Sequence, residues 1–206
     1  MENENILYSK AFRLSIFTIG YNIIEGVVSA FFGYQDDTLA LFGFGLDSFI
    51  EVLSGTGVLL MIVRMRRNPL AARYRFEITA LRITGIAFYL LATGLFAGIV
   101  MNIINDRKPE TTFPGIVISV LSIIVMIWLM NAKMKVGKKL DSEPIICDSH
   151  CTRMCVYMSV VLLISSLIYE LTGFKYADSI GAAGLVWLSV LEGKEALEKA
   201  GAKFAL

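Results

Sequence analysis

The stretch TLALFGFGLDSFIEVLSGTGVLLMIV, Thr38–Val63, decides the fold. It runs for 26 residues and carries only two charges, Asp47 and Glu51. About 20 apolar residues cross the hydrocarbon core of a bilayer as a helix, so this run reads as a membrane span. The two carboxylates stand four apart in Leu46-Asp47-Ser48-Phe49-Ile50-Glu51. On a helix they share one face, about one turn from each other. An ionised carboxylate at a helix centre costs about 2.5–3.5 kcal/mol on insertion scales. Two on one face also repel each other. A divalent cation removes that repulsion, and protons can replace the cation when it leaves. The competing explanation is a polar pair tied by hydrogen bonds to a neighbouring helix.

Working outward, five more apolar runs appear, giving spans near 14–32, 38–63, 79–104, 114–131, 145–171 and 176–191. The composition agrees. The chain has 206 residues, 56% hydrophobic and 18% charged, with a mean hydropathy of +0.66. A soluble domain carries about a quarter charged residues. The fold expected is all-α: a polytopic membrane protein of six transmembrane helices in a single domain over residues 1–206. No soluble domain is expected at either end. Residues 1–14 lack the basic start and cleavage site of a signal peptide, so the first span is expected to be retained.

Lysine and arginine set the orientation. They gather before the first span (Lys10, Arg13), between the second and third (Arg64, Arg66, Arg67, Arg73, Arg75), between the fourth and fifth (Lys133, Lys135, Lys138, Lys139) and in the tail (Lys194, Lys199, Lys203). The opposite links hold only Arg107, Lys108 and Lys175, beside Asp36, Asp37, Asp106 and Glu110. Both termini are therefore expected in the cytoplasm, and the basic loops are read as topology signals. The net charge of +1 gives no sign of a nucleic-acid partner. There is no glycine-rich phosphate loop and no nucleophile elbow.

Three other acidic residues have competing explanations. Glu25 in the first span is either a group supporting the site or an interhelical hydrogen-bond partner. Asp178 either serves the site or caps the N-terminus of its own helix, where a carboxylate is favoured. Glu170 lies close to the membrane interface and reads as structural.

All the cysteines, Cys147, Cys151 and Cys155, follow i, i+4, i+8 spacing and form one stripe on the fifth helix. Met158 continues the stripe, Met154 borders it and Asp148 lies on its other side. An odd count on one helix is not a disulfide framework. Free cysteine is also an ordinary small buried hydrophobe. Three on one stripe beside an aspartate favour metal ligation. Asp47, Glu51, Cys151 and Cys155 would supply four ligands to a tetrahedral ion such as zinc. His150 is either a ligand on the approach path, with Asp148 and Cys147, or an interfacial polar residue.

These residues resemble the cation diffusion facilitator family. The likeness runs through Gly33-Tyr34-Gln35-Asp36-Asp37-Thr38-Leu39-Ala40-Leu41, the Asp47–Glu51 segment, Cys147-Asp148-Ser149-His150-Cys151, and Tyr176-Ala177-Asp178-Ser179-Ile180-Gly181-Ala182. The resemblance implies six helices, homodimerisation and exchange of divalent cations, commonly zinc, for protons. It implies a transport site at Asp47 and Glu51. The family's His-x-x-x-Asp pair on the fifth helix, counted from Cys147-Asp148, falls on Cys151 and Cys155. Here thiols replace imidazole and carboxylate. The family's cytoplasmic domain after the sixth helix is not expected here.

The function expected is proton-coupled export of zinc or a similar divalent ion by alternating access, at the plasma (inner) membrane. No enzyme activity and no prosthetic group are expected. One alternative is a carrier or sensor of soft metals (cadmium, mercury or copper) built on the cysteine stripe. Another is a membrane thiol–disulfide oxidoreductase, against which stands the lack of a Cys-x-x-Cys motif. A third is a structural membrane subunit, which leaves the Asp47–Glu51 pair unexplained.

Overall fold

The computed structural model describes residues 2–67, 73–106, 108–140 and 142–202. Among them are six helices and no strand: α1 (Glu2–Gln35), α2 (Leu39–Arg67), α3 (Arg73–Ile104), α4 (Phe113–Lys139), α5 (Glu143–Thr172) and α6 (Ala177–Ala202). The side chains of Arg64, Arg66, Arg67, Arg73, Arg75, Arg107, Lys203 and Cys147 lie outside the described residues.

The helix ends follow local chemistry. Asp37 closes the α1–α2 turn in the left-handed region, at φ 52°, and Asp106 ends α3 the same way, at φ 51°. Aspartate tolerates that region better than most residues. Pro114 and Pro144 stand in the first turns of α4 and α5, where a missing N–H leaves no bond unmade. Gly173 ends α5 at φ 64°, its N–H reaching the Tyr169 carbonyl at 2.8 Å.

The turns after α1, α3 and α5 meet at one end of the bundle. Glu110 N–H donates to the Asp36 carbonyl, and the Thr38 hydroxyl donates to that of Thr111. The Tyr169 hydroxyl donates to the Pro109 carbonyl. Glu170 accepts from Thr112 N–H at 2.6 Å and from the Thr111 hydroxyl at 2.8 Å. This confirms the structural reading of Glu170.

Polarity is inverted relative to a soluble protein. Large apolar side chains such as Ile24, Leu90, Ile124 and Trp187 face outward. Thr18, Asn22, Ser29, Ser119, Ser122 and Ser159 are fully buried. Polar atoms inside and an apolar exterior suit lipid as the solvent. Among the described residues, five helices hold stretches long and apolar enough to cross a membrane: Ile6–Gln35, Leu39–Leu60, Gly85–Ile104, Phe113–Lys139 and Asp148–Thr172. The fold is thus a polytopic all-α membrane protein. The sixth expected span is also a helix, but Asp178 interrupts its apolar run and Glu192 and Lys194 follow directly after it. It packs against α2, α3 and α5.

Helix α2 is the hub, touching α1, α3, α5 and α6. Its Ala40, Leu41, Phe44 and Ile50 join Phe88, Leu95, Met158, Leu162 and Leu185 in the main apolar core. Against α1 it packs through glycine. A Cβ on Gly45 would stand 2.6 Å from Ala30 N and 3.0 Å from Gly26 O. One on Gly33 would collide with the backbone of Phe42. Small residues let membrane helices approach closely, and here they fix the height of α2 beside α1.

Candidate metal site

Asp47 and Glu51 lie on the inward face of α2 and are 2% and 4% exposed. Opposite them α5 presents Cys155, also buried. Its Sγ lies 2.9 Å from Glu51 Oε2 and 3.6 Å from Asp47 Oδ2. These three side chains and Cys151, Ser54, Met154 and Met158 line one narrow cavity. The sequence pairing of α2 with the cysteine stripe therefore holds in space. Cys151 is half-buried and lines the same cavity, and both it and Cys155 are thiols, not a disulfide.

No group of three or more His, Cys, Asp or Glu side chains among the described residues stands as a preformed metal cage. Cys155 and Glu51 are joined by a hydrogen bond instead. A sulfur and an oxygen on one tetrahedral zinc stand about 3.5 Å apart, given bonds of about 2.3 and 2.0 Å. The two atoms here are closer than that. An ion bound by both atoms would require them to part slightly.

The remaining predicted residues divide. Asp148 lies one turn along α5 and is buried, its Oδ2 2.8 Å from Lys133 Nζ. His150 is half-buried next to Cys151 in sequence, and it does not line the cavity. Glu25 is an interhelical partner, accepting from Ser48 on α2 at 3.0 Å and from Tyr21 at 2.9 Å. Asp178 does not cap its own helix. It crosses to α2 and accepts from the N–H groups of Leu39 and Ala40 at 2.8 and 3.1 Å. The positive end of α2 is thereby closed by a carboxylate from α6.

Lys133 was missed. The sequence reading ended the fourth span at Asn131 and assigned Lys133 to a basic loop, but α4 continues to Lys139. Lys133 is 1% exposed. Its ammonium donates to Asp148 and, at 2.9 Å, to the Thr152 hydroxyl, which stands 3.0 Å from Glu51 Oε1. Thr152 was also missed, although its place four residues after Asp148 and one after Cys151 was a usable signal.

Two facing helices thus bring carboxylates and thiols together in a membrane interior, inside a six-helix bundle. The cation efflux transmembrane domain matches this chain over residues 12–202. The chain belongs to the cation efflux family. The family resemblance carried by the sequence motifs is borne out. An uncharacterized transporter of Methanocaldococcus jannaschii is 27% identical to this member over 175 residues. The match covers 83% of this chain and 61% of the relative, so the chain spans about three fifths of that protein's length.

Proposed function

We propose that this cation efflux protein is a divalent metal transporter, not an enzyme, whose ion is held between α2 and α5 by Asp47, Glu51, Cys151 and Cys155. The observation that carries the reading is the contact of Cys155 Sγ with both carboxylates in a membrane-buried cavity. Oxygen and sulfur donors in one four-ligand set suit zinc. Such ligands bind metal only when deprotonated, so an arriving ion displaces protons and returning protons release it. Rocking of the helices exposes the site to each side in turn, with a metal entering from the cytoplasm past Asp148 and His150 and leaving on the opposite side. All six helices cross the membrane, with both termini cytoplasmic. The protein acts as a homodimer in the plasma (inner) membrane.

Zinc uptake into inverted vesicles, with and without a pH gradient, tests this. Gradient-stimulated uptake that disappears in the double variant Asp47→Ala, Glu51→Ala is expected. Unchanged uptake by that variant rejects the site, and gradient-independent uptake rejects the coupling.

A second reading is favoured by the thiols: a carrier of cadmium, mercury or copper(I), since thiolates prefer soft ions. Competition binding with Cys151→Ser and Cys155→Asp separates the two. Zinc that outcompetes cadmium in the unaltered chain and is still bound by Cys155→Asp supports the zinc carrier, and cadmium that outcompetes zinc and is lost in both variants supports the alternative.

A further inference from the structure

We infer that Lys133 and Thr152 position Glu51 to offer the ion a single oxygen, and so help determine which metals the site accepts. The inference rests on the metal-site reading above.

The argument is one of donors and acceptors. A lysine ammonium only donates, and a threonine hydroxyl has one hydrogen to give. Lys133 donates to Thr152 Oγ1 at 2.9 Å, so that oxygen is an acceptor towards α4. Its own hydrogen has two acceptors within reach, Glu51 Oε1 at 3.0 Å and the Asp148 carbonyl at 3.1 Å. The carbonyl already serves the helix ladder, and a carboxylate is the stronger acceptor. Glu51 Oε1 is therefore held by Thr152, while Oε2 faces Cys155 across the cavity.

A buried ion pair is weak evidence of stability, since apolar residues of similar size often serve as well. Lys133 and Asp148 are both buried, and Asp148 Oδ1 has no hydrogen-bond partner. The pair is thus not a fully satisfied bridge. What it does achieve is a fixed ammonium that sets the direction of the Thr152 hydroxyl. With Glu51 contributing one oxygen, the site has four ligands, the number zinc prefers. Manganese takes octahedral oxygen-rich shells. Freeing Oε1 adds a fifth donor and relaxes the selection.

The test is calorimetric titration of the purified full chain in nanodiscs with zinc and with manganese. Thr152→Val keeps the side-chain shape and removes the hydroxyl. Zinc affinity is expected to fall about 10- to 100-fold, the usual effect of losing a group that orients a ligand. Manganese affinity is expected to stay level or rise. Thr152→Ser should restore the zinc preference. The double variant Lys133→Met, Asp148→Asn removes both charges of the pair together and should shift the preference in the same direction. A zinc-to-manganese ratio unchanged in Thr152→Val, or a wild-type ratio in the double variant, overturns the inference while leaving the metal site intact. Failure of the unaltered chain to bind zinc overturns the metal-site reading itself.

Discussion

Cys155 Sγ on α5 stands 2.9 Å from Glu51 Oε2 on α2, although 104 residues separate them in the chain. The contact joins the two helices inside the bundle, where both side chains are buried. It ties α2 to α5. An ion that replaces the shared hydrogen must push the two atoms apart to about 3.5 Å.

Metal should stabilise the protein through this site alone. A ligand at about 100 times its dissociation constant adds about 2.7 kcal/mol to a folded state that alone binds it. Thermal unfolding with and without zinc should show a clear upward shift in the unaltered chain. The shift should vanish in Asp47→Asn, Glu51→Gln, while the metal-free midpoint of that variant stays level or rises, because two costly buried carboxylates have become neutral. A full zinc shift in the variant places the ion elsewhere.

Zinc affinity should fall as the solution is acidified. The ligands bind metal deprotonated, so binding releases protons and added protons oppose it. An ordinary thiol loses its proton near pH 8.5 and an ordinary aspartic acid near pH 3.9. Cys155→Asp should therefore release fewer protons per zinc at about pH 7 and flatten the dependence of affinity on pH. Titration in buffers of different ionisation enthalpy counts those protons. An equal count in both proteins contradicts a thiol ligand at position 155.

Asp178 should matter for stability and not for zinc. Its carboxylate accepts from the first two N–H groups of α2. Losing a helix cap costs about 0.5–2 kcal/mol. Asp178→Ala should lower the unfolding midpoint and leave zinc affinity near that of the unaltered chain, with Asp178→Asn intermediate in stability. Lost affinity at an unchanged midpoint refutes the capping role.

Gly45 should tolerate no side chain. The Cβ of Gly45→Ala meets backbone atoms of α1, which cannot yield as a flexible side chain does. Overpacking of this kind costs about 1–3 kcal/mol. Because Asp47 follows two residues later, zinc affinity should fall as well. Gly55→Ala is the control, since its Cβ meets only side-chain carbons of α1, at 3.5 Å or beyond. Equal stability of the two variants contradicts the close α1–α2 contact.

Much of the site was legible because helical spacing is strict. Four-residue steps place Asp47 with Glu51 and Cys151 with Cys155 before any fold is known, and two polar faces in one membrane chain have reason to meet. Lys133 was not legible, because hydropathy truncates a helix at its first charges, and a lysine two residues past Asn131 looks like a loop. Only the buried Asp148 and Thr152 on the neighbouring helix show why it can stay inside. Asp178 was left open between a role at the site and a cap on its own helix, and its carboxylate instead meets the first N–H groups of α2. Spacing within one segment carries no information about which other helix end lies nearby. Glu25 shows the same limit, since its partner Ser48 is fixed by the glycine contacts between α1 and α2.

The most direct test of the metal site is anomalous diffraction from crystals soaked in zinc and recorded on either side of the zinc edge. One strong peak is expected between α2 and α5, within bonding distance of Asp47, Glu51, Cys151 and Cys155, with Cys155 Sγ and Glu51 Oε2 drawn apart. A peak bonded to none of these four side chains, or an unchanged 2.9 Å contact in zinc-loaded protein, would contradict the account.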